Sequence, residues 1–438
     1  MIHTLDLRGR RPSRAELLTL IPRTEIDVNV ALDVATSLIS DVRERGSEAL
    51  REQASRLDKV DDVEIRVPQS HIDEAVAALS PQLRASLETA IARVRIGSAA
   101  QVPADVRSEI APGAVITQRW QPVERVGLYV PGGKAVYPSS VIMNVVPAQV
   151  AGVSSIALAS PAQSHFGGRV HPTILAAAGL LGVSEVYAMG GAGAIGAFAY
   201  GVEDLGLVPV NVVTGPGNVY VAAAKRLVRG RVGIDSEAGP TEILIIADSS
   251  ARADFIAADL ISQAEHDEMA SAVLVTDSEE LALAVTQHVS ELAEKTAHAQ
   301  RVKVALEGPQ SALVLVDDLS VAIDFSNAYG PEHLEIHTLK NSEVVAQITN
   351  AGALFVGDYS PVSLGDYSAG SNHVLPTAGQ ALFSSGLGAY TFLRPQQVIE
   401  YSKGALSEVA SGIRVLADDE DLPAHGDAVD IRFNTEDN

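Results

Sequence analysis

In Arg125-Val-Gly-Leu-Tyr-Val-Pro-Gly-Gly133 a short β-branched run stops at a proline and two glycines, and the same texture returns further along the chain. Similar runs occupy residues 155–158, 185–189, 210–213 and 242–247. Between them lie helical patterns with their start signals: Ser139-Ser140 before 141–150, Pro172-Thr173 opening 174–181, and Asn218 ahead of 219–228. Strand alternating with helix predicts a parallel sheet wrapped by helices. Ligands bind such sheets at the carboxyl ends of the strands, and the loops expected there are glycine-rich: Pro131-Gly132-Gly133, Gly190-Gly191-Ala192-Gly193 and Gly215-Pro216-Gly217-Asn218. Glycine lets a backbone approach a phosphate closely, and the helix N-terminus that follows favours its charge.

Past residue 247 the alternation resumes. Helices are expected over 254–265, 279–297, 321–328 and 344–350, and strands over 272–275, 312–316, 334–338 and 354–356, which implies a second α/β lobe. The first hundred residues read as mostly helical, over 26–45 and 72–95, with a short strand at 63–67; their role is scaffold. Residues 360–388 turn to Gly, Ser, Pro and Tyr, the composition of a long functional loop. A helical tail over 398–410 leads to Asp418-Asp419-Glu420-Asp421.

At 438 residues the chain is too long for one ordinary core, and 47% hydrophobic against 20% charged residues is globular composition. With 32 Lys+Arg against 55 Asp+Glu the formal charge is -23, a field that repels phosphate backbones and anionic lipid heads, so neither nucleic acid nor membrane is expected as a partner. A dinucleotide stays open, because backbone amides do not enter the formal charge. The uncharged stretch 135–168 is broken by Pro138, Pro147 and Pro161 and does not read as a membrane span. The first eight residues have no apolar signal core, from which a cytoplasmic location follows. Cysteine is absent, so any metal is held by His, carboxylate or amide groups.

Five features carry chemical meaning. Gly191-Ala-Gly193-Ala-Ile-Gly196 matches the dinucleotide fingerprint, yet the acidic residue that should end the following strand is missing, since 210–213 runs into Thr214-Gly215. Gln263 and His266 close an amphipathic helix about 60° apart around its axis and can point at one ion; alternatively His266 satisfies the last carbonyls. Glu332-His333, after the Tyr329-Gly330 turn, pairs a carboxylate with a base suited to removing a proton from an alcohol, although a solvated loop is the commoner reading. Asp366 and His373 sit in a loop too polar for core, and His425 follows Glu420 near the C-terminus. Together Gln263, His266, Asp366 and His425 form a complete nitrogen and oxygen ligand set for one divalent ion, and zinc accepts such ligands.

Ile234-Asp-Ser-Glu-Ala-Gly-Pro-Thr-Glu242, continuing through Ala258-Asp-Leu-Ile-Ser-Gln-Ala-Glu-His266, resembles the signature segment of histidinol dehydrogenases. The similarity extends to Val126–Gly133, Thr214-Gly-Pro-Gly-Asn218, Pro331-Glu-His-Leu-Glu335, Ser363-Leu-Gly-Asp-Tyr367, Gly370-Ser-Asn-His-Val-Leu-Pro-Thr377 and Ala424-His425, nearly the whole chain. The resemblance implies two parallel-sheet lobes of incomplete Rossmann-like topology, a helical N-terminal region and a C-terminal helical tail exchanged in a homodimer with shared active sites. The expected division is an N-terminal helical arm 1–26, a first α/β lobe of 27–124 and 243–386 carrying metal and acid/base residues, a second lobe 125–242 carrying cofactor loops, and a tail 387–438 reaching the partner.

It further implies L-histidinol as substrate, two molecules of NAD consumed in turn, and one zinc ion per subunit held by Gln263, His266 and Asp366 with His425 arriving from the partner. Glu332 and His333 match the acid/base pair. Thr241, His373 and Glu420, together with Gln263, His266, His333, Asp366 and His425, match substrate-contacting positions, and Tyr129, Gly193 and Asn218 the cofactor-contacting ones. One departure stands out: position 193, a glutamine in the family's Gly-Gly-Ala-Gln-Ala pattern, is glycine here, and the fingerprint match exists only because of that replacement. Two other readings use the same residues. A paralogue acting on another polar alcohol is opposed by Glu420 and His373, which suit an imidazole, and a zinc hydrolase is opposed by the Tyr129 and Asn218 loops.

Overall fold

The computed structural model describes residues 2–23, 28–132, 136–237 and 239–433. Ile26 at the head of the first expected helix, Gly133 of the first glycine loop, and residues 434–438 of the tail lie outside them. In chain order the strands are β1 His3–Asp6, β2 Val106–Ala111, β3 Ala114–Pro122, β4 Arg125–Tyr129, β5 Ser155–Ser160, β6 Val186–Ala188, β7 Val212–Thr214, β8 Gly233–Ile234, β9 Glu242–Ala247, β10 Ser271–Thr276, β11 Ala312–Leu315, β12 His333–His337, β13 Ala353–Val356 and β14 Leu393–Tyr401.

Five of these form a parallel sheet in the order β6-β5-β4-β7-β8. Counted within its own lobe, that order is 3-2-1-4-5, the doubly wound arrangement without its sixth strand. A six-stranded parallel sheet, β1-β11-β10-β9-β12-β13, repeats 3-2-1-4-5 in its last five strands and adds β1 from the N-terminal segment outside them. Both lobes are therefore incomplete Rossmann-like sheets, as the resemblance implies.

Alternation along the strands sends side chains to two cores. Ile243, Ile245 and Ala247 join Ile256, Ala257 and Leu260 of the helix Ala253–Ala264 on one face. Leu244, Ile246, Leu334 and Ile336 join Phe325 of the helix Leu319–Tyr329 on the other. Past Glu242, β9 is apolar on both sides because helices cover both.

Several local expectations change. The helix expected over 72–95 is two, Gln69–Ala77 and Pro81–Ala99, because Ser80 caps the second by accepting the Leu83 amide at 3.2 Å and Pro81 cannot continue the first. Residues 63–67 form no named strand; Arg66 makes an isolated bridge to Tyr187. The N-terminal arm is not wholly helical, since His3–Asp6 pairs with β11 ahead of the helix Arg14–Leu20. The helices Val28–Arg45, Gln69–Ala77 and Pro81–Ala99, expected with the metal lobe, pack instead on helices of the five-stranded sheet. An apolar stripe shows that a helix is covered but not by what.

By contacts the chain divides into two units, Met1–Gln101 with Val123–Phe392, and Val102–Pro122 with Leu393–Asn438. The first holds both parallel sheets. The second holds the antiparallel sheet β14-β3-β2 and the helices Lys403–Asp419 and Pro423–Asp430. Residues 398–401, expected as the start of a helix, are the end of β14, paired with β3 across more than 270 positions of sequence. Such long-range pairing leaves no local period to read.

Candidate active site

In the six-stranded sheet Thr241, Glu242, Glu332 and His333 stand at the amino ends of the strands, not at the carboxyl ends where such sheets usually bind ligands. Thr241 and Glu242 stand at the head of β9, and Glu332 and His333 at the head of the neighbouring β12. The helix Ala253–Ala264 runs back between β9 and β10, so its C-terminus delivers Gln263 to the same edge, with His266 two residues beyond the helix end. Gly330 ends the preceding helix in the left-handed region, φ 56°, and turns the chain into Glu332.

These residues are wired together. Gln263 is 1% exposed; its amide NH2 donates to Thr241 Oγ1 at 2.7 Å, and the Thr241 hydroxyl donates to Glu332 Oε2 at 2.6 Å. Glu332 Oε2 also accepts the Glu242 amide at 2.9 Å. With its nitrogen engaged, Gln263 Oε1 is buried without a partner. His333 Nδ1 lies 3.0 Å from the Glu242 carbonyl. A carbonyl only accepts, so Nδ1 carries the proton and Nε2 is left with its lone pair.

Burial raises the Glu332 carboxyl above the usual carboxylate range, against the pull of His333, its hydrogen bonds and, more weakly, His266. Glu242 is pushed up to about 7, chiefly by burial, although Arg23 contacts it at 2.6 Å. Buried carboxylates whose pKa is raised in this way are suited to gaining and losing protons.

The loop expected over 360–388 contains a short helix, Val362–Tyr367, with half-buried Asp366 on it. His373 donates from Nδ1 to the Asp366 carbonyl at 3.0 Å, and its Nε2 lies 3.2 Å from Ser140 Oγ. Ser140 opens the helix that follows β4, and Asn372 donates to the Met143 carbonyl of that helix at 2.7 Å. The loop thus ties the amino edge of one sheet to the carboxyl edge of the other. Burial lowers the His373 imidazole, with His333 and His266 adding to that effect and Asp366 opposing it.

At the carboxyl edge of the five-stranded sheet, Tyr129 is buried and its hydroxyl accepts the Gly191 amide at 3.1 Å. Asn218 caps the helix Val219–Val228, its oxygen accepting the Tyr220 amide at 3.1 Å, which leaves its NH2 group to donate elsewhere. Gly193 lies in the helix Gly191–Tyr200, where a side-chain Cβ would meet Gln53 and Leu50. Thr241, Gln263, Glu332 and His333 are directly linked, and Asp366 and His373 form a second linked pair. Glu420 and His425 belong to the other unit, Glu420 closing the helix Lys403–Asp419 and His425 exposed in the helix Pro423–Asp430.

A second polar group escaped the sequence reading. Asp259, Glu335 and His337 present donor atoms within 4.8 Å of one another and could hold a metal ion. Leu334 and Ile336 face one core, so His333, Glu335 and His337 point to the opposite side, toward the helix that carries Asp259 and Gln263 four residues apart. That shared spacing was the signal available. Glu335 also accepts the Val362 amide at 2.9 Å, and its carboxylate adds to burial in raising Asp259.

The sequence profile of histidinol dehydrogenases matches residues 21–433. The chain is 64% identical over 432 residues to histidinol dehydrogenase of Leifsonia xyli subsp. xyli, covering 99% of both proteins. It is 55% identical over 438 residues to that of Corynebacterium diphtheriae, covering 99% of this chain and 98% of the other. Among solved structures, histidinol dehydrogenase from Elizabethkingia anophelis superposes with a TM-score of 0.92 at 32% identity, over 99% of this chain and 98% of that one. With the whole length matched in both sequence and fold, the chain is an oxidoreductase belonging to the histidinol dehydrogenase family.

Proposed function

We propose that this chain oxidises L-histidinol to L-histidine in two NAD-linked steps, the last reaction of histidine biosynthesis, as a cytoplasmic zinc-dependent homodimer. The observation that carries the reading is the buried oxygen of Gln263: its NH2 group is fixed on Thr241, and its oxygen is left without a partner at the edge that holds Glu332 and His333. An amide oxygen held this way suits a cation. Gln263, His266 and Asp366, with His425 of the partner subunit, would hold zinc; Tyr129, Asn218 and the backbone around Gly193 would hold NAD. Zinc held there would supply a Lewis acid that anchors the substrate, and the nicotinamide would supply the hydride acceptor.

The chain's own residues account for the protons. His333 Nε2, with its lone pair free, takes the hydroxyl proton as the carbinol carbon loses hydride, giving histidinal. Glu332 takes a proton from the water that adds to the aldehyde, and a second hydride loss from the resulting diol gives the carboxylate. Each histidinol therefore consumes one water and two NAD and releases three protons. His373 and Glu420 would receive the substrate imidazole, and Thr241 would keep Glu332 and Gln263 in register.

Absorbance at the NADH band tests this with L-histidinol, with and without a chelator and then with zinc restored. Two NADH per histidinol, loss on chelation and recovery with zinc are expected. One NADH per substrate, release of free aldehyde, or turnover without NAD would overturn the reading.

A further inference from the structure

Asp58 ends a single π-helical turn, Ala54–Asp58, which continues the helix Ser47–Gln53, and Lys59 follows it in the left-handed region at φ 60°. Isolated π turns cluster at functional sites because they displace one side chain from the regular helix face. Here the displaced acid reaches the carboxyl edge of the five-stranded sheet. Asp58 Oδ2 lies 3.5 Å from the position a Cβ on Gly190 would take, and it faces the neighbourhood of the Tyr129 hydroxyl. Among the described residues no hydrogen bond or ion pair reaches its carboxylate, and burial alone pushes it up to about 6.

Unpartnered groups gather around the same strand end. Ser160, the last residue of β5, is fully buried with an unpaired hydroxyl, and Gln163 Nε2 is buried without an acceptor. Pro161 stands between them and the glycine loops. A Cβ on Gly132 would lie 2.7 Å from Pro161 Cγ and 2.9 Å from Gln163 Nε2, and one on Gly190 would lie 2.8 Å from Pro161 Cβ. Glycine at both positions lets these loops approach Pro161 and Gln163 closely, so that an unpaired acceptor and an unpaired donor stand near one strand end. Unsatisfied groups of this kind cost stability unless a ligand completes them.

We propose that Asp58 accepts hydrogen bonds from a ribose diol of the dinucleotide, with the Gln163 amide donating beside it. The inference rests on the NAD reading above and supplies the acid that the dinucleotide fingerprint lacks after β7. A carboxylate against vicinal hydroxyls is the pairing that such folds use for NAD, and its charge repels a 2′-phosphate.

The test titrates NAD and NADP into the zinc-loaded enzyme and its Asp58→Asn variant by calorimetry, with thermal melts of the same proteins without nucleotide. The expected result is NAD binding weakened on the order of tenfold in the variant, as for one charge-assisted contact, with a smaller preference over NADP. The nucleotide-free variant should melt higher at pH 7.5, because it no longer holds an unpaired, partly buried charge. A merely structural Asp58 would give a lower melting point and unchanged affinity. NAD bound equally by both proteins overturns the assignment of Asp58, whereas no NAD binding by the unaltered enzyme overturns the cofactor reading itself.

Discussion

The side-chain oxygen of Gln53 occupies the place that a Cβ on residue 193 would take, so the glycine that departs from the family pattern leaves no hole. Gln53 is 6% exposed and its NH2 group donates to the Leu38 carbonyl at 3.1 Å. Restoring a glutamine by Gly193→Gln should therefore destabilise the protein by about 1–3 kcal/mol through overpacking. Combined with Gln53→Ala, the same change should cost less than the two single losses added. Denaturant melts of the four proteins give the coupling; strictly additive losses would show that the two positions do not compete for one space.

Glu332 and His333 are adjacent but hold different partners, and their variants should fail at different steps. His333→Asn should slow the first hydride transfer most. Glu332→Gln should spare it and slow oxidation of added histidinal, each by about 10²–10⁴-fold. Single-turnover NADH formation from histidinol and from histidinal separates the two, and equal small losses in both would break the assignment.

Thr241 is the one hydroxyl between the acid and the amide. Thr241→Val keeps the shape but leaves the Gln263 NH2 group without its acceptor, freeing the amide to rotate. Zinc affinity should fall about 10–100-fold, as when an outer partner of a metal ligand is lost. Competition with a chelator of known affinity measures this; unchanged zinc retention would mean that Thr241 does not orient Gln263.

Arg23 faces Glu242 across a nearly dry contact, 19% and 5% exposed. Because the folded-state value of Glu242, about 7, lies above its ordinary 4.5, its contribution to stability is complete below about 4.5 and is lost as pH rises through 7. Glu242→Gln should flatten that part of the pH-stability curve. Arg23→Met should cost about 3 kcal/mol at pH 8, where the acid is left charged and unpaired, and less at pH 5, where it is protonated. Urea unfolding at the two pH values compares them, and an equal loss at both would contradict the pairing.

Much of this molecule is legible locally. The bounds of β9, Glu242–Ala247, and of the helix Val219–Val228 follow from composition and capping alone, since an apolar run or an Asn cap is complete within its own few residues. The pairings of β1 with β11 and of β14 with β3 are not legible, because the partner strand lies about 300 residues away and imposes no pattern on either segment. Asp259, Glu335 and His337 went unread for a related reason: Asp259 lies on a helix and the other two on a strand far along the chain, and only the packing of that helix on that strand makes them neighbours.

By itself the sequence determined the chemistry at hand: without cysteine any metal ligand must be nitrogen or oxygen, which Gln263, His266 and Asp366 offer, and the signature segments name the family. Only the tertiary structure decided that Glu332 and His333 stand at the amino edge of their sheet, that Gln263 leaves its oxygen and not its nitrogen unpartnered, and that Gln53 fills the space at Gly193. The physical reason is that residue type fixes which bonds a side chain can make, whereas the choice among them depends on neighbours brought together by packing from distant parts of the chain.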